Sequence, residues 1–362
     1  MSITIIQTAL DRNQKLAKAD DARIVPLEPK YLVQMAHLTT PATVAKYVEA
    51  ACTKSVANLV MLDLEDSIPR GNDDLLRQGR ENIVNALNRL DWGRRLRFFR
   101  PRGMRLDPGH TDIVDVVSSA GARLDGIVYP KIESAAEVVS IDHTLSALEA
   151  HHGLAPGKIK IEVLIESAAA EEQAFEIACS SRRLAGLIFG AFDYWGSLRM
   201  IGEKYRTDHP LVDQARARIV KAAASVGIPA IAEMTLNYPT KEKSETEQKA
   251  ALDECRRDAE YAKSFGFRGK WTGIPSQTQI ALDVFAIDDA VIDEALAAAK
   301  AFLAAEREGR GATMIGGKMS DRATDRIHRV ALQTAFALGR ITDDVAKELG
   351  LDGWGDTPQA PR

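Results

Sequence analysis

The segments KIEVLIE (160–166) and LAGLIFG (184–190), the second followed by AFDY (191–194), carry the clearest structural signal in the chain. In the first, Ile159, Ile161, Val163 and Ile165 alternate with Lys160, Glu162, Leu164 and Glu166. Side chains two apart on a strand share a face, so the apolar row packs outward and the glutamates face a lumen. Six further strand candidates flank this pair: YLVQMA (31–36), NLVMLDL (58–64), RLRFFR (95–100), GIVYP (126–130), IPAIAE (228–233) and GKWTGI (269–274). Helical spacing fills the intervals, as in Leu76, Ile83, Leu87 and Leu90, or Leu252, Cys255, Ala259 and Ala262. A helix over 209–226 is punctuated by Asp208 as N-cap, Pro210 in its first turn and Gly227 beyond its end. Eight strand-helix units predict a (β/α)8 TIM barrel over 31–287. Residues 1–30 then form an N-terminal arm and 288–362 a C-terminal helical extension or lid, with helices at 288–308 and 320–340 joined by the Gly-rich GRGATMIGGKM.

Composition narrows the function. The 362 residues are 45% apolar and 27% charged with a net charge of -4, and the basic residues are scattered rather than gathered into runs with aromatics. That argues against a nucleic-acid partner. Cys52, Cys179 and Cys255 form no CxxC pair, which fits thiols in a reducing cytoplasm better than disulfides or structural zinc. No segment carries the roughly 20 uninterrupted apolar residues that would cross a bilayer.

Chemistry in such a barrel is built at the carboxyl ends of the strands, where this chain concentrates charge. Asp63, Glu65 and Asp66 close the second strand, Arg100 and Arg102 the third, Lys131 the fourth and Glu166 the fifth, while Asp193 follows the sixth. Alternation turns Asp63 and Glu65 inward. Neighbouring carboxylates repel unless a cation sits among them, and a hard divalent ion with oxygen ligands is the simplest solution. Mg²⁺ fits best, with Mn²⁺ as the alternative. Held by Glu166 and Asp193 alone, it would keep positions open for water and an oxo acid. Arg100 offers a planar cation to a substrate carboxylate or enolate. Any one of these acids alone reads as a solvated rim residue; the whole set does not. Glu162 lies deeper and suits a buried pairing with Lys160 or a neighbour, Asp63 could accept bonds from loop backbone, and Lys131 could alternatively form a Schiff base.

Six motifs in order, LDLEDSIP (62–69), FRPRG (99–103), GIVYPKIES (126–134), VLIES (163–167), LIFGAFDY (187–194) and GKMSD (317–321), resemble the citrate lyase β-subunit and malyl-CoA lyase family. This is the HpcH/HpaI aldolase type within the phosphoenolpyruvate/pyruvate TIM barrels, and the resemblance spans about 58–340. It implies that Glu166 and Asp193 bind Mg²⁺, that Arg100 binds and polarises substrate, and that Glu65 and Asp66 hold metal-bound waters. The acid of the C-terminal motif, supplied by a neighbouring subunit in some members, falls on Asp321. IES stands for the family's IET and AFDY for AEDL, with the ligands kept. Arg102 replaces a neutral amide, and YLVQMAHLTTP replaces the LxxPGN loop that helps receive CoA.

The implied reaction is reversible aldol or Claisen cleavage of a 3-hydroxy-acyl-CoA acid, citramalyl-, malyl- or citryl-CoA-like, to a 2-oxo acid and an acyl-CoA. Arg100, Arg102 and Lys131 are the expected substrate contacts, and Asp321 the proton-transfer group. Ser320-Asp321 also opens a helix, where an acid is favoured on dipole grounds alone. The alternatives are a class II aldolase on free hydroxy-oxo acids, a malyl-CoA-type thioesterase or synthase, and a non-catalytic subunit. A homo-oligomer, trimer or hexamer, is expected, with the 309–340 region packed near a metal site.

Overall fold

The computed structural model describes residues 27–104 and 109–351. Most of the expected arm and the tail beyond 351 fall outside them. The described chain divides into two compact units, one running from Gln34 to Ala286 and one formed by the residues on either side.

A short helix, α1 (Pro29–Leu32), precedes the strands. Within Gln34–Ala286, eight strands pair in sequence order and close. They are β1 (Ala36–Pro41), β2 (Leu59–Asp63), β3 (Leu96–Arg100), β4 (Gly126–Tyr129), β5 (Lys160–Ile165), β6 (Leu184–Phe189), β7 (Ala230–Ala232) and β8 (Gly269–Thr272). Every pairing is parallel, and β8 returns to β1 through Lys270 opposite Ala36 and Thr272 opposite Leu38. The connections are helical: α2 (Ala45–Lys54), α3 (Asp73–Arg89), α4 (Gly109–Ala120), α5 (Ala135–His151), α6 (Ala168–Glu172), α7 (Ala174–Ala178), α8 (Ala191–Ser197), α9 (Pro210–Ser225), α10 (Glu245–Phe265) and α11 (Pro275–Phe285). This is the (β/α)8 barrel, and parallel strands covered by helices explain why β2 and β6 are buried along their whole length.

Local chemistry fixes the boundaries. The side chain of Asn72 accepts from Leu75 N–H at 3.0 Å to start α3. Ser244 and Glu247 form a reciprocal capping box that starts α10. Two expectations need correction. The first strand is Ala36–Pro41 rather than 31–36, because Pro29 sets the first turn of α1 and draws Tyr31 and Leu32 into it. The N-cap of α9 is His209, whose ring accepts from Leu211 N–H at 3.3 Å, whereas Asp208 faces Arg206 on the surface.

The other unit holds α12 (Asp289–Arg307), β9 (Ala312–Ile315), β10 (Lys318–Asp321), α13 (Arg322–Ala337) and α14 (Asp343–Glu348). Its core packs Ile292, Ala299, Leu332, Ala335 and Leu349. The Gly-rich stretch expected to be a plain connector is an antiparallel hairpin. Gly316 and Gly317 both adopt positive φ, 56° and 79°, which a two-residue hairpin turn demands.

Candidate active site

Seven of the expected strand-end residues meet at one end of the barrel. Asp63 is the last residue of β2 and lies in register with Arg100, the last of β3. Glu65 and Asp66 follow in the β2–α3 loop, Lys131 comes just after β4, and Glu166 directly after β5. Asp193 sits in the first turn of α8, where the helix dipole favours an acid. Gly190 makes this approach feasible, since a Cβ there would stand 2.5 Å from Glu166 Cβ.

Lys131 Nζ lies among four acids: 2.9 Å from Asp193, 3.7 Å from Glu65 and from Asp66, and 3.8 Å from Glu166. The Lys131 backbone N–H also donates to Glu166 Oε1 at 2.5 Å. Glu65 and Glu166 form the buried floor of this cluster, with side chains 3% and 2% exposed, while Asp66 and Asp193 are half exposed at 54% and 50%. Burial pushes Glu65 up to about 8 and Glu166 up to about 7, despite the cations beside them. For Lys131, burial works against the charge, and Glu166 and the bond to Asp193 more than offset it.

Arg100 fills the adjoining position. Its Nε donates to Asp63 Oδ1 at 2.6 Å, and its Nη1 stands 3.2 Å from Glu65 and 3.5 Å from Asp66. Burial disfavours the Arg100 charge, but Asp63 and the two further acids hold its pKa above the ordinary value. Asp63 also accepts from Glu65 N–H at 3.0 Å and Ser67 N–H at 3.1 Å, combining the loop-acceptor role with an ion pair. Burial opposes ionisation of Asp63 as well, yet Arg100 and these bonds keep it below the usual carboxylate range. Across the mouth, Trp271 places its ring 5.4 Å from the Arg100 guanidinium carbon and donates to the Thr39 hydroxyl. Sequence reasoning missed Trp271 and Thr39. The only trace was the aromatic residue within the GKWTGI strand.

Two expected residues are placed differently. Arg102 is engaged by Asp112 on α4, at 2.9 and 3.0 Å, and Arg80 reaches the same carboxylate at 2.8 Å. The guanidinium is tied to α4, while Arg102 borders an open cavity of about 320 Å³ that Glu65, Asp66 and Arg70 also line. Asp321 belongs to the other unit, where it caps α13 by accepting from Ala323 and Thr324 N–H at 2.9 and 3.0 Å. Those bonds, led by Thr324, hold its carboxyl below the usual range.

The donor set suits a hard divalent ion of the two-carboxylate type. Among the described residues no three His, Cys, Asp or Glu side chains gather to hold a metal by themselves. Glu166 and Asp193, however, already converge on one cation, the Lys131 ammonium. Among the described residues, five carboxylates share Lys131 and Arg100 as counter-ions, so the cluster still favours added positive charge.

A closed (β/α)8 barrel with acids and an arginine converging at its strand ends is the arrangement on which barrel enzymes build their active sites. Residues 39–273 match the HpcH/HpaI aldolase/citrate lyase family, and the chain belongs to that family. It is 34% identical over 295 residues to an L-malyl-CoA/beta-methylmalyl-CoA lyase of Cereibacter sphaeroides, covering 78% of this chain and 88% of the relative. A malyl-CoA/beta-methylmalyl-CoA/citramalyl-CoA lyase of Chloroflexus aurantiacus is 29% identical, with 85% and 86% covered. Among solved structures, the Mycobacterium tuberculosis protein CitE in complex with magnesium, acetoacetate and coenzyme A shares the fold at a TM-score of 0.59 and 24% identity, covering 83% of this chain and 97% of that one.

Proposed function

We propose that this chain is a Mg²⁺-dependent carbon–carbon lyase that cleaves a 3-hydroxy-acyl-CoA acid of the malyl- or citramalyl-CoA type to a 2-oxo acid and an acyl-CoA. The observation that carries the reading is the convergence of Glu166 and Asp193 on one cation position, beside a buried arginine. The malyl-CoA lyase relatives support the cleavage, and the magnesium complex of a fold neighbour supports the ion.

Glu166 and Asp193 would hold the metal, which supplies Lewis-acid stabilisation of the oxo-acid oxygen when bound. Glu65 and Asp66, directly beside them, orient water. Arg100 presents a permanently charged, planar guanidinium whose position Asp63 and Trp271 fix, and it offsets charge developing on the reacting oxygen. Cleavage requires the substrate hydroxyl to lose its proton and the departing acyl carbon to gain one, and Asp321 is the proposed proton carrier. The cavity beside Glu65 and Asp66 gives the acyl portion room. Exposed Met314, Met319, Ile327 and Val330 on the hairpin and α13 support a homo-oligomer, which sedimentation would detect. No helix among the described residues is long and apolar enough to cross a membrane.

The test is incubation with malyl-CoA, β-methylmalyl-CoA and citramalyl-CoA, with and without Mg²⁺, followed by assay of products. Glyoxylate or pyruvate together with an acyl-CoA is the expected result. Release of the hydroxy diacid with free CoA would identify a thioesterase instead.

A further inference from the structure

Lys131 combines two features found together at no other described residue. Its ammonium lies within 3.8 Å of four separate carboxylates, and its backbone is left-handed, with φ 54°. A lysine pays a steric cost in that conformation, which persists only where surrounding contacts enforce it. Here the enforcing contact is the bond from its own N–H to Glu166 Oε1. One residue therefore grips Glu166 from the backbone while its side chain occupies the space between Glu166 and Asp193.

An ion bonded to the same Asp193 oxygen at about 2.1 Å would stand no farther than about 5 Å from Nζ, where like charges repel strongly across a half-buried site. A divalent ion would also remove the unbalanced negative charge that holds the ammonium in place. The way out is open: the Lys131 side chain is 29% exposed, and Asp66 and Asp193 on the solvent side are half exposed. A flexible four-carbon stem allows the head group to move without disturbing the backbone bond.

We propose that Lys131 is an exchangeable internal cation, which neutralises the acid cluster while the metal is absent and is displaced towards solvent when the metal binds, so that it sets the metal's affinity. This rests on the reading of Glu166 and Asp193 as metal ligands. It gives Lys131 a role distinct from both a fixed substrate contact and a Schiff-base amine.

The test labels wild-type protein with an amine-acetylating reagent, with and without Mg²⁺, and follows Lys131 by peptide mass spectrometry against exposed Lys249 as internal reference. Calorimetric titration with Mg²⁺ runs alongside. Exchange predicts that Lys131 acetylation, slow without metal, rises several-fold relative to Lys249 once Mg²⁺ is bound. Exchange also predicts that Lys131→Met binds Mg²⁺ about tenfold more tightly, because no ammonium has to be displaced. Mg²⁺ binding with Lys131 labelling unchanged or slowed would overturn the exchange and leave the ligand assignment intact. Unchanged or weaker Mg²⁺ affinity in Lys131→Met would overturn it too. Absence of any Mg²⁺ binding would remove both the exchange and the metal reading.

Discussion

Glu162 on β5 and Glu166 directly after it stand four residues apart, and both are buried. Burial pushes each upward, to about 8 and about 7 respectively. Their surroundings have little in common. Glu166 meets Lys131, Asp193 and the Arg100 cluster at the mouth. Glu162 lies 3.5 Å from Nδ1 of His37, which itself is fully buried and pulled down to about 3 by desolvation. His37 Nε2 is 2.6 Å from Gln34 Oε1, and Gln34 donates to Ala185 O at 3.1 Å, completing a neutral floor. The polar neighbours beside Glu162 are thus His37 on β1 and Gln34. A displaced pKa alone does not mark a reactive carboxylate; convergence with opposite charge at an open end does.

The largest expected effect separates the two ends outright. Glu166→Ala or Asp193→Ala is expected to lower Mg²⁺-dependent turnover by about a thousandfold or more, the equivalent of losing several kcal/mol of electrostatic stabilisation, while far-UV circular dichroism stays unchanged. Arg100→Lys should cost about a hundredfold in kcat/KM, because an ammonium cannot keep the bond to Asp63 and also present a planar face. Near-wild-type kinetics would remove Arg100 from the site.

The floor should respond in stability instead. A carboxyl whose folded pKa is raised from 4.5 to about 8 contributes stability below pH 4.5 and loses it as pH climbs through 8. Neutral His37 contributes the opposite slope only below its unfolded value of 6.5. Between pH 6.5 and 8, Glu162 therefore dominates this pair, and Glu162→Gln should gain about 2 kcal/mol relative to wild type across that window. Denaturation at several pH values reads it, and a gain that shrinks with pH would contradict the account. The smallest structural effect is expected for Asp321→Asn, since asparagine caps a helix as well as aspartate. An unchanged melting temperature with depressed turnover would support proton transfer by Asp321; unchanged turnover would leave it as the cap of α13.

The mouth was largely legible in the sequence because strand alternation turns Asp63, Glu65 and Glu166 inward regardless of tertiary detail. The first strand was not, since AHLTTP has no apolar period and becomes a strand through pairing with β2 and β8. Barrel closure also brings Trp271 to Arg100, a contact between residues far apart in sequence. The pairing of Arg102 with Asp112 was not legible either, because Asp112 sits inside a helix ten residues on and reads there as an ordinary first-turn acid. The left-handed backbone of Lys131 leaves no trace in composition or spacing.

Calorimetric titration of Mg²⁺ into wild-type protein, Glu166→Gln and Glu162→Gln tests the contrast between mouth and floor most directly. The account predicts one ion per chain in the wild type and in Glu162→Gln, and none in Glu166→Gln. Equal Mg²⁺ binding by both variants, or its loss in Glu162→Gln alone, would contradict it.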